Sequence, residues 1–96
     1  MSIRIEANGS ASKVSGSMTM DHATVLLADG TTALQAGRTT FDLSAVAEID
    51  SSGLAVLFGW QRAAEAMGKS LTIVNPPNNL RSLADVYGVA DLLPLS

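Results

Sequence analysis

The stretch Ala47 to Phe58, AEIDSSGLAVLF, is the most informative for the fold, because three polar residues are followed here by a largely apolar run, which marks the start of the central helix. Two adjacent serines stand between Asp50 and a glycine, a pattern typical of a helix N-terminus. We predict a helix from Ser52 to Met67 that a serine caps and that ends at Gly68. The serine pair has three interpretations: a helix cap, a phosphorylation site or a catalytic nucleophile.

The two faces of this helix differ in polarity when residues are placed 100° apart. The face that suits a sheet carries Val56, Leu57, Trp60, Ala63, Ala64 and Met67. The opposite face is polar and carries Gln61, Arg62 and Glu65. Leu54 and Phe58 fall on that polar side, so we predict that both are exposed and form a protein-binding surface beside the serines. The alternative is that another helix covers them.

Three elements are predicted before the central helix. The alternation of Ile3, Ile5 and Ala7 before the turn NGS predicts a β-hairpin. Its second strand should run from Ser12 to Met20, with one face formed by Val14, Gly16, Met18 and Met20. Next comes a helix from Ala23 to Gln35, which Asp21 caps, Gly30 weakens and Gly37 ends. A strand over Thr39 to Ser44 follows, and then a loop through Glu48 and Asp50.

Two elements are predicted after the central helix. The sequence SLTIVN at 70–75 is typical of a strand, and Pro76 and Pro77 can begin a further helix. The apolar stripe of that helix should face the core and consists of Leu80, Leu83, Ala84 and Tyr87. The order of elements indicates an α/β fold, a mixed sheet with helices packed against it. A chain of 96 residues fits one domain, so we expect residues 1–96 to form a single domain.

The composition narrows the classes of partner. Six basic residues are scattered among nine acidic ones, without the basic cluster that nucleic acid requires. There are no cysteines, which excludes thiol chemistry and permits a cytosolic location. The N-terminus is not typical of a signal peptide, and the apolar run Leu54 to Trp60 is too short to span a bilayer. We therefore expect no nucleic acid, no direct membrane insertion, and any membrane role through a partner protein.

Catalysis is not expected. His22 beside Asp21 completes a formal Ser, His, Asp set, but the chain lacks the G-x-S-x-G turn that presents a nucleophilic serine. It also lacks a phosphate-binding G-x-x-x-x-G-K-[ST] loop, and its one histidine and dispersed carboxylates show no metal-ligand spacing. We predict no enzyme activity, no catalytic residues, no cofactor and no metal site.

The segment Phe41 to Leu57, FDLSAVAEIDSSGLAVL, resembles the signature of STAS domains, the family of bacterial anti-sigma factor antagonists. This resemblance implies a small sheet of about four strands with helices mainly on one side. In antagonist members a partner kinase, which is also the anti-sigma factor, phosphorylates the serine before the glycine, and that position is Ser52 here. Many such members carry an aspartate near this serine, at the position that Thr19 occupies in this chain.

A second branch of the family, the STAS subunit of Mla-type ABC transporters, resembles the chain in its tail. The tail is LADVYGVADLLPL, Leu83 to Leu95. Those transporters move phospholipids between the membranes of Gram-negative bacteria and maintain outer membrane lipid asymmetry. The resemblance implies a cytoplasmic, non-enzymatic accessory subunit that binds the ATP-binding subunit, and through it the permease, at the inner membrane. It places the contact at Asp50, Ser51, Ser52, Gly53, Leu54 and Phe58. The alternative is an anti-sigma factor antagonist regulated at Ser52 by a serine kinase.

Overall fold

The computed structural model describes residues 3–95, and within them a four-stranded sheet and three α-helices form. The strands are β1 (Arg4–Asn8), β2 (Ala11–Met18), β3 (Thr40–Ile49) and β4 (Thr72–Val74). The helices are α1 (Ala23–Gln35), α2 (Ser51–Ala66) and α3 (Asn78–Val86). Short 3₁₀ turns occupy Met20–His22 and Ala90–Leu92. The predicted α/β order of elements is confirmed.

The sheet is mixed and has the order β1-β2-β3-β4. The strand pair β1–β2 is antiparallel, whereas β2–β3 and β3–β4 are parallel. One face of the sheet is buried and supplies Val14, Phe41, Leu43 and Ile73 to the core. The other face is polar and carries Arg4, Glu6, Lys13 and Asp42, none of which is buried. This contrast follows from the two-residue alternation of strands, and it agrees with the prediction that the helices lie mainly on one side.

Strand β3 is longer than the predicted strand Thr39 to Ser44, and the predicted loop through Glu48 is wrong. β3 continues to Ile49, where it still pairs with Met18 of β2. The pairing register between the two strands shifts twice, and at each shift β3 has one residue more than β2. Such bulges break the alternation of buried and exposed residues, so the sequence pattern loses its two-residue period in the second half of the strand.

Helix α1 has the predicted bounds, but its predicted cap is wrong. The N-cap residue is His22, and among residues 3–95 no side chain, Asp21 included, accepts a hydrogen bond from the first amides of α1. A 3₁₀ turn over Met20–His22 intervenes between β2 and α1 and displaces Asp21 from the capping position. At the other end Gly37 adopts a φ of 91°, so the prediction that it ends the helix is confirmed.

The interface between α1 and α2 depends on Gly30, because a Cβ atom at this position would clash with the indole ring of Trp60. The Trp60 ring is fully buried, its Nε1–H donates to the Leu26 carbonyl oxygen at 3.0 Å, and its centroid lies 4.4 Å from that of Phe41. The glycine that weakens α1 is therefore the residue that lets α2 approach it closely.

Most of the predicted core is confirmed, some predicted members are only partly buried, and Tyr87 is exposed. Val56, Leu57, Trp60 and Ala64 of α2 are buried, as are Leu80 and Ala84 of α3. Ala63, Met67 and Leu83 are partly buried and pack against the core, whereas Tyr87, which was predicted to face it, is 56% exposed. Met20, predicted on the same strand face as Val14 and Met18, is 73% exposed. Met20 leaves the β2 face because the strand ends at Met18. Tyr87 follows the last residue of α3, where the chain turns away through Gly88 at a φ of 69°.

Candidate functional site

The serine motif lies at the start of α2, directly after β3, and Asp50 caps the helix. The backbone of Asp50 is extended, with φ −117° and ψ −170°, and its Oδ1 accepts the amide N–H groups of Ser52 at 2.8 Å and Gly53 at 3.1 Å. The prediction that a serine caps this helix is thus wrong. Because β3 extends to Ile49, the helix begins one residue earlier than predicted, and aspartate takes the capping position.

Asp50 also binds the segment that follows β2. Its Oδ2 accepts the Met20 amide N–H at 3.2 Å, and its own amide donates to the Met18 carbonyl oxygen, also at 3.2 Å. One carboxylate therefore accepts amides from α2 and from the neighbouring 3₁₀ turn. Hydrogen bonds to a charged acceptor are stronger than neutral ones, so this residue holds the serine pair in a defined position.

Gly53 is buried where the first turn of α2 crosses the end of β2. A Cβ atom at this position would overlap the Met18 carbonyl oxygen and the Ile49 side chain. The glycine of the motif is therefore required by a close backbone approach, and its prediction as a direct contact residue has no support from its exposure.

The two serines face different grooves. Ser52 is half-buried and lines a groove of about 340 Å³ between α1 and α2, here called the α1–α2 groove, with walls from Ala23, Thr24, Leu27, Ala55, Val56, Gly59 and Arg62. Ser51 is exposed and lines the α2–α3 groove, about 270 Å³, with Leu54, Ala55, Phe58, Tyr87 and Val89. Ala55 borders both grooves, so the exposed part of α2 forms the ridge between them.

The predicted exposure of Leu54 is wrong, and that of Phe58 is correct only in part. Leu54 is 5% exposed and belongs to the core, while Phe58 is half-buried and packs against it. The alternative, that another helix covers this side of α2, is correct only in part, because the residues that share this groove, Tyr87 and Val89, follow the end of α3. Leu54 therefore forms part of the buried wall of the groove, and Phe58 is partly exposed in it.

Tyr87 and Val89 also belong to this surface, although neither was predicted as a contact residue. We use the term docking face for Ser51, Ala55 and Phe58 of α2 together with Tyr87 and Val89. The sequence does contain an indication that Tyr87 is exposed. Gly88 follows Tyr87 immediately and ends α3, so Tyr87 lies outside the helix and its apolar face. The exposed tyrosine beside a partly exposed phenylalanine gives the face the aromatic character that is enriched in protein interfaces.

The residues of the formal Ser, His, Asp set are not joined. Within residues 3–95, no hydrogen bond links the His22 ring to Asp21, Ser51 or Ser52. Asp50, the carboxylate next to the serines, instead accepts three backbone amides. In the same part of the chain no three His, Asp or Glu side chains come together as a metal site. None of the helices that the structure describes is both long and apolar enough to cross a membrane.

A polar groove of about 560 Å³ lies elsewhere, between the middle of β3 and the start of α3. Near it, Asp42 Oδ1 accepts the Ser44 amide N–H at 2.9 Å and the Asn75 Nδ2–H at 3.1 Å. These hydrogen bonds lower the pKa of Asp42 below the usual value of a carboxyl group, and the bond from the Ser44 backbone has the largest effect. No residue of the serine motif lines this groove.

Solved structures of anti-sigma factor antagonists share the fold. The anti-sigma factor antagonist SpoIIAA in its unphosphorylated form superposes with a TM-score of 0.71 at 20% identity, over 99% of this chain and 86% of its own. A putative antagonist from Thermotoga maritima gives 0.73 at 14% identity, with coverage of 97% and 84%. An antagonist from Mycobacterium paratuberculosis gives 0.69 at 25% identity, with coverage of 98% and 83%.

The sequence is also similar to a protein of the other branch of the family. The intermembrane phospholipid transport system binding protein MlaB of Haemophilus influenzae (strain ATCC 51907 / DSM 11121 / KW20 / Rd) is 37% identical over 51 residues, which are 53% of this chain. The matched segment is 49% of that relative, so the match spans about half the length of each protein. Residues 1–94 match the family model described as "Mlab, STAS domain". The resemblance that the motif Phe41 to Leu57 carries is confirmed, and the chain belongs to the MlaB-type STAS domain family.

Proposed function

We propose that this protein is a non-enzymatic accessory subunit of an Mla-type ABC phospholipid transport system. It binds the cytoplasmic ATP-binding subunit, stabilises or activates it, and through it lies at the inner membrane beside the permease. The single observation that carries the proposal is the docking face, an exposed apolar and aromatic surface directly beside the Asp50 to Gly53 motif. The 37% identity to an MlaB over part of the chain supports the choice of partner.

The role of each motif residue in this proposal follows from its position. Ser51 and Phe58 would touch the partner, since both line the α2–α3 groove at the surface. Asp50 and Gly53 would act indirectly, because one caps α2 and the other lets it approach β2. Leu54 would support Phe58 from beneath. Ser52 lies on the other side of the ridge and would contact a partner only where that partner also enters the α1–α2 groove.

The local charges favour a contact that does not depend on phosphate. The amides of Ser52 and Gly53 already donate to Asp50, so a phosphate on Ser52 would compete with that carboxylate for the same donors. Thr19 supplies a hydroxyl where many kinase-regulated antagonists carry an aspartate. Both features fit a stable binding surface better than a phosphorylation switch.

Affinity capture from gently solubilised membranes of the host tests this proposal. The tagged wild-type protein should recover an ABC ATPase with its permease, and Phe58→Asp should lose both, because it places a charge in the centre of an apolar contact. Val25→Asp is the matched control, since Val25 is an exposed apolar residue of α1 that lines neither groove. Recovery of the same ATPase by Phe58→Asp would contradict the proposed face.

A second candidate function is an anti-sigma factor antagonist. Ser52 directly precedes the glycine, lies at the helix start and lines an open groove, which favours access by a kinase. Incubation with host extract and ATP, followed by intact mass measurement, tests it. Modification of the wild type and of Ser51→Ala, but not of Ser52→Ala, would support this function. An unmodified wild type would remove it.

A further inference from the structure

Strand β1 is an open edge of the sheet. It pairs with β2 on one side, and within residues 3–95 no strand pairs with its other side. The opposite edge of the sheet is covered, because Leu95 forms a bridge to Ile73 of β4 and the Ile73 amide N–H donates to the Pro94 carbonyl oxygen at 2.9 Å. An uncovered edge presents unpaired backbone donors and acceptors, which favours pairing with another strand.

The outward-facing backbone groups can be assigned from the hairpin register. Asn8 pairs with Ala11 across the two-residue turn, and in such hairpins the pair that flanks the turn is hydrogen-bonded. Hydrogen-bonded and non-hydrogen-bonded pairs then alternate along an antiparallel ladder, so Arg4, Glu6 and Asn8 bond to β2. The N–H and C=O groups of Ile5 and Ala7 consequently point outward, and those of Ile3 continue the same row.

The side chains of the edge have a charge pattern that is complementary to itself. Arg4 and Glu6 lie on the polar face of the sheet, where Arg4 Nη1 is 3.0 Å from Glu6 Oε1 and both side chains are largely exposed. Ile5 lies between them, on the opposite face, and packs against the core. A second β1 that runs antiparallel with Ile5 opposite Ile5 therefore places each Arg4 opposite the other copy's Glu6. Edge charges that protect a sheet would repel such a copy, whereas these attract it.

We propose that two copies of this chain pair through their β1 edges, antiparallel and centred on Ile5, so that one continuous sheet crosses the dimer. In this arrangement the two Ile5 residues exchange both backbone hydrogen bonds, and Ile3 of each copy pairs with Ala7 of the other. The contact is isologous, as a two-fold axis requires, because the same strand is used on both sides. It involves no residue of the docking face, so it stands or falls independently of the proposed function.

Charge-reversal variants of Arg4 and Glu6 test the pairing. Their self-association is measured by sedimentation velocity at protein concentrations up to about 1 mM. The wild type should show reversible self-association. Arg4→Glu and Glu6→Arg should each weaken it by about tenfold or more, because two attractive cross-strand pairs become repulsive. The double variant Arg4→Glu/Glu6→Arg restores opposite charges across the axis and should restore association. Loss of the exposed Arg4 and Glu6 pair within one chain has little effect on folding, which thermal unfolding of each variant checks.

A backbone variant tests the same contact without a change in charge. Ala7→Pro removes an outward-facing N–H and leaves the bonds of Glu6 and Asn8 to β2 in place, so the hairpin should survive while association is lost. Ala7→Ser keeps the N–H and should associate as the wild type does. A wild type that stays monomeric at the highest concentration would overturn the proposal. Association that persists in Ala7→Pro, or that the double charge variant does not restore, would equally overturn it.

Discussion

Asp50 joins the start of α2 to Met20, because its Oδ2 accepts the Met20 amide N–H at 3.2 Å while Oδ1 caps the helix. We expect Asp50→Ala to lower the free energy of unfolding by about 1–3 kcal/mol, from the lost cap and the lost charged acceptor together. Asp50→Asn keeps a good capping side chain and should lose less. Urea denaturation measures both. Asp21→Ala is the control, since Asp21 caps no helix and should stay within about 0.5 kcal/mol of the wild type.

A methyl group at Gly53 should destabilise the protein. Gly53→Ala forces a Cβ atom against the Met18 carbonyl oxygen, which belongs to the backbone and cannot turn aside, so we expect a loss of about 1–3 kcal/mol. Gly59→Ala meets only the Cδ1 end of Leu27, at 2.7 Å, and that flexible side chain can move. Because alanine favours a helix by about 1 kcal/mol over glycine, Gly59→Ala should be close to neutral. Thermal unfolding of the two variants measures the contrast, and equal losses would contradict the close approach at Gly53.

The effects of substitutions at Gly30 and Trp60 on stability should be coupled, because the two residues are in contact. Gly30→Ala introduces a Cβ atom at the indole, and Trp60→Phe removes the Nε1–H donor to Leu26 and leaves a cavity. Each single variant should lose about 1–3 kcal/mol of unfolding free energy. The double variant should be more stable than the sum of the two losses predicts, because the new methyl group occupies space that the indole vacates. A double-mutant cycle by urea denaturation measures this coupling, and strictly additive losses would contradict it.

Asp42 should contribute to the dependence of stability on pH. Its pKa is lowered in the folded state, by the Ser44 backbone N–H first and the Asn75 side chain second. Stability from this group is therefore fully present above its unfolded pKa, near 3.8, and is lost as the pH falls through the lower folded value. Asp42→Asn should flatten the acid limb of a plot of melting temperature against pH below about pH 4. An acid limb identical to that of the wild type would contradict the effect of these hydrogen bonds.

The sequence predicts the elements of this fold better than it predicts how they cover one another. The bounds of α1 follow from local periodicity and Gly37, and the structure agrees. The length of β3 could not be predicted, because bulges against β2 remove its regular alternation. The capping role of Asp50 was ambiguous, since serine and aspartate are both good caps and only the end of β3 decides between them. The exposure of Leu54 depends on the path of the chain after α3, and helical periodicity cannot predict that tertiary arrangement.

The docking face is tested most directly by titration calorimetry with the purified ATP-binding subunit that we propose as its partner. The wild type and Val25→Asp should bind it equally, while Phe58→Asp and Tyr87→Asp should each weaken binding by about 30-fold or more. Circular dichroism of every variant confirms that folding is retained. Wild-type affinity in both Phe58→Asp and Tyr87→Asp, or no binding by the wild type itself, would contradict the proposed face and its partner.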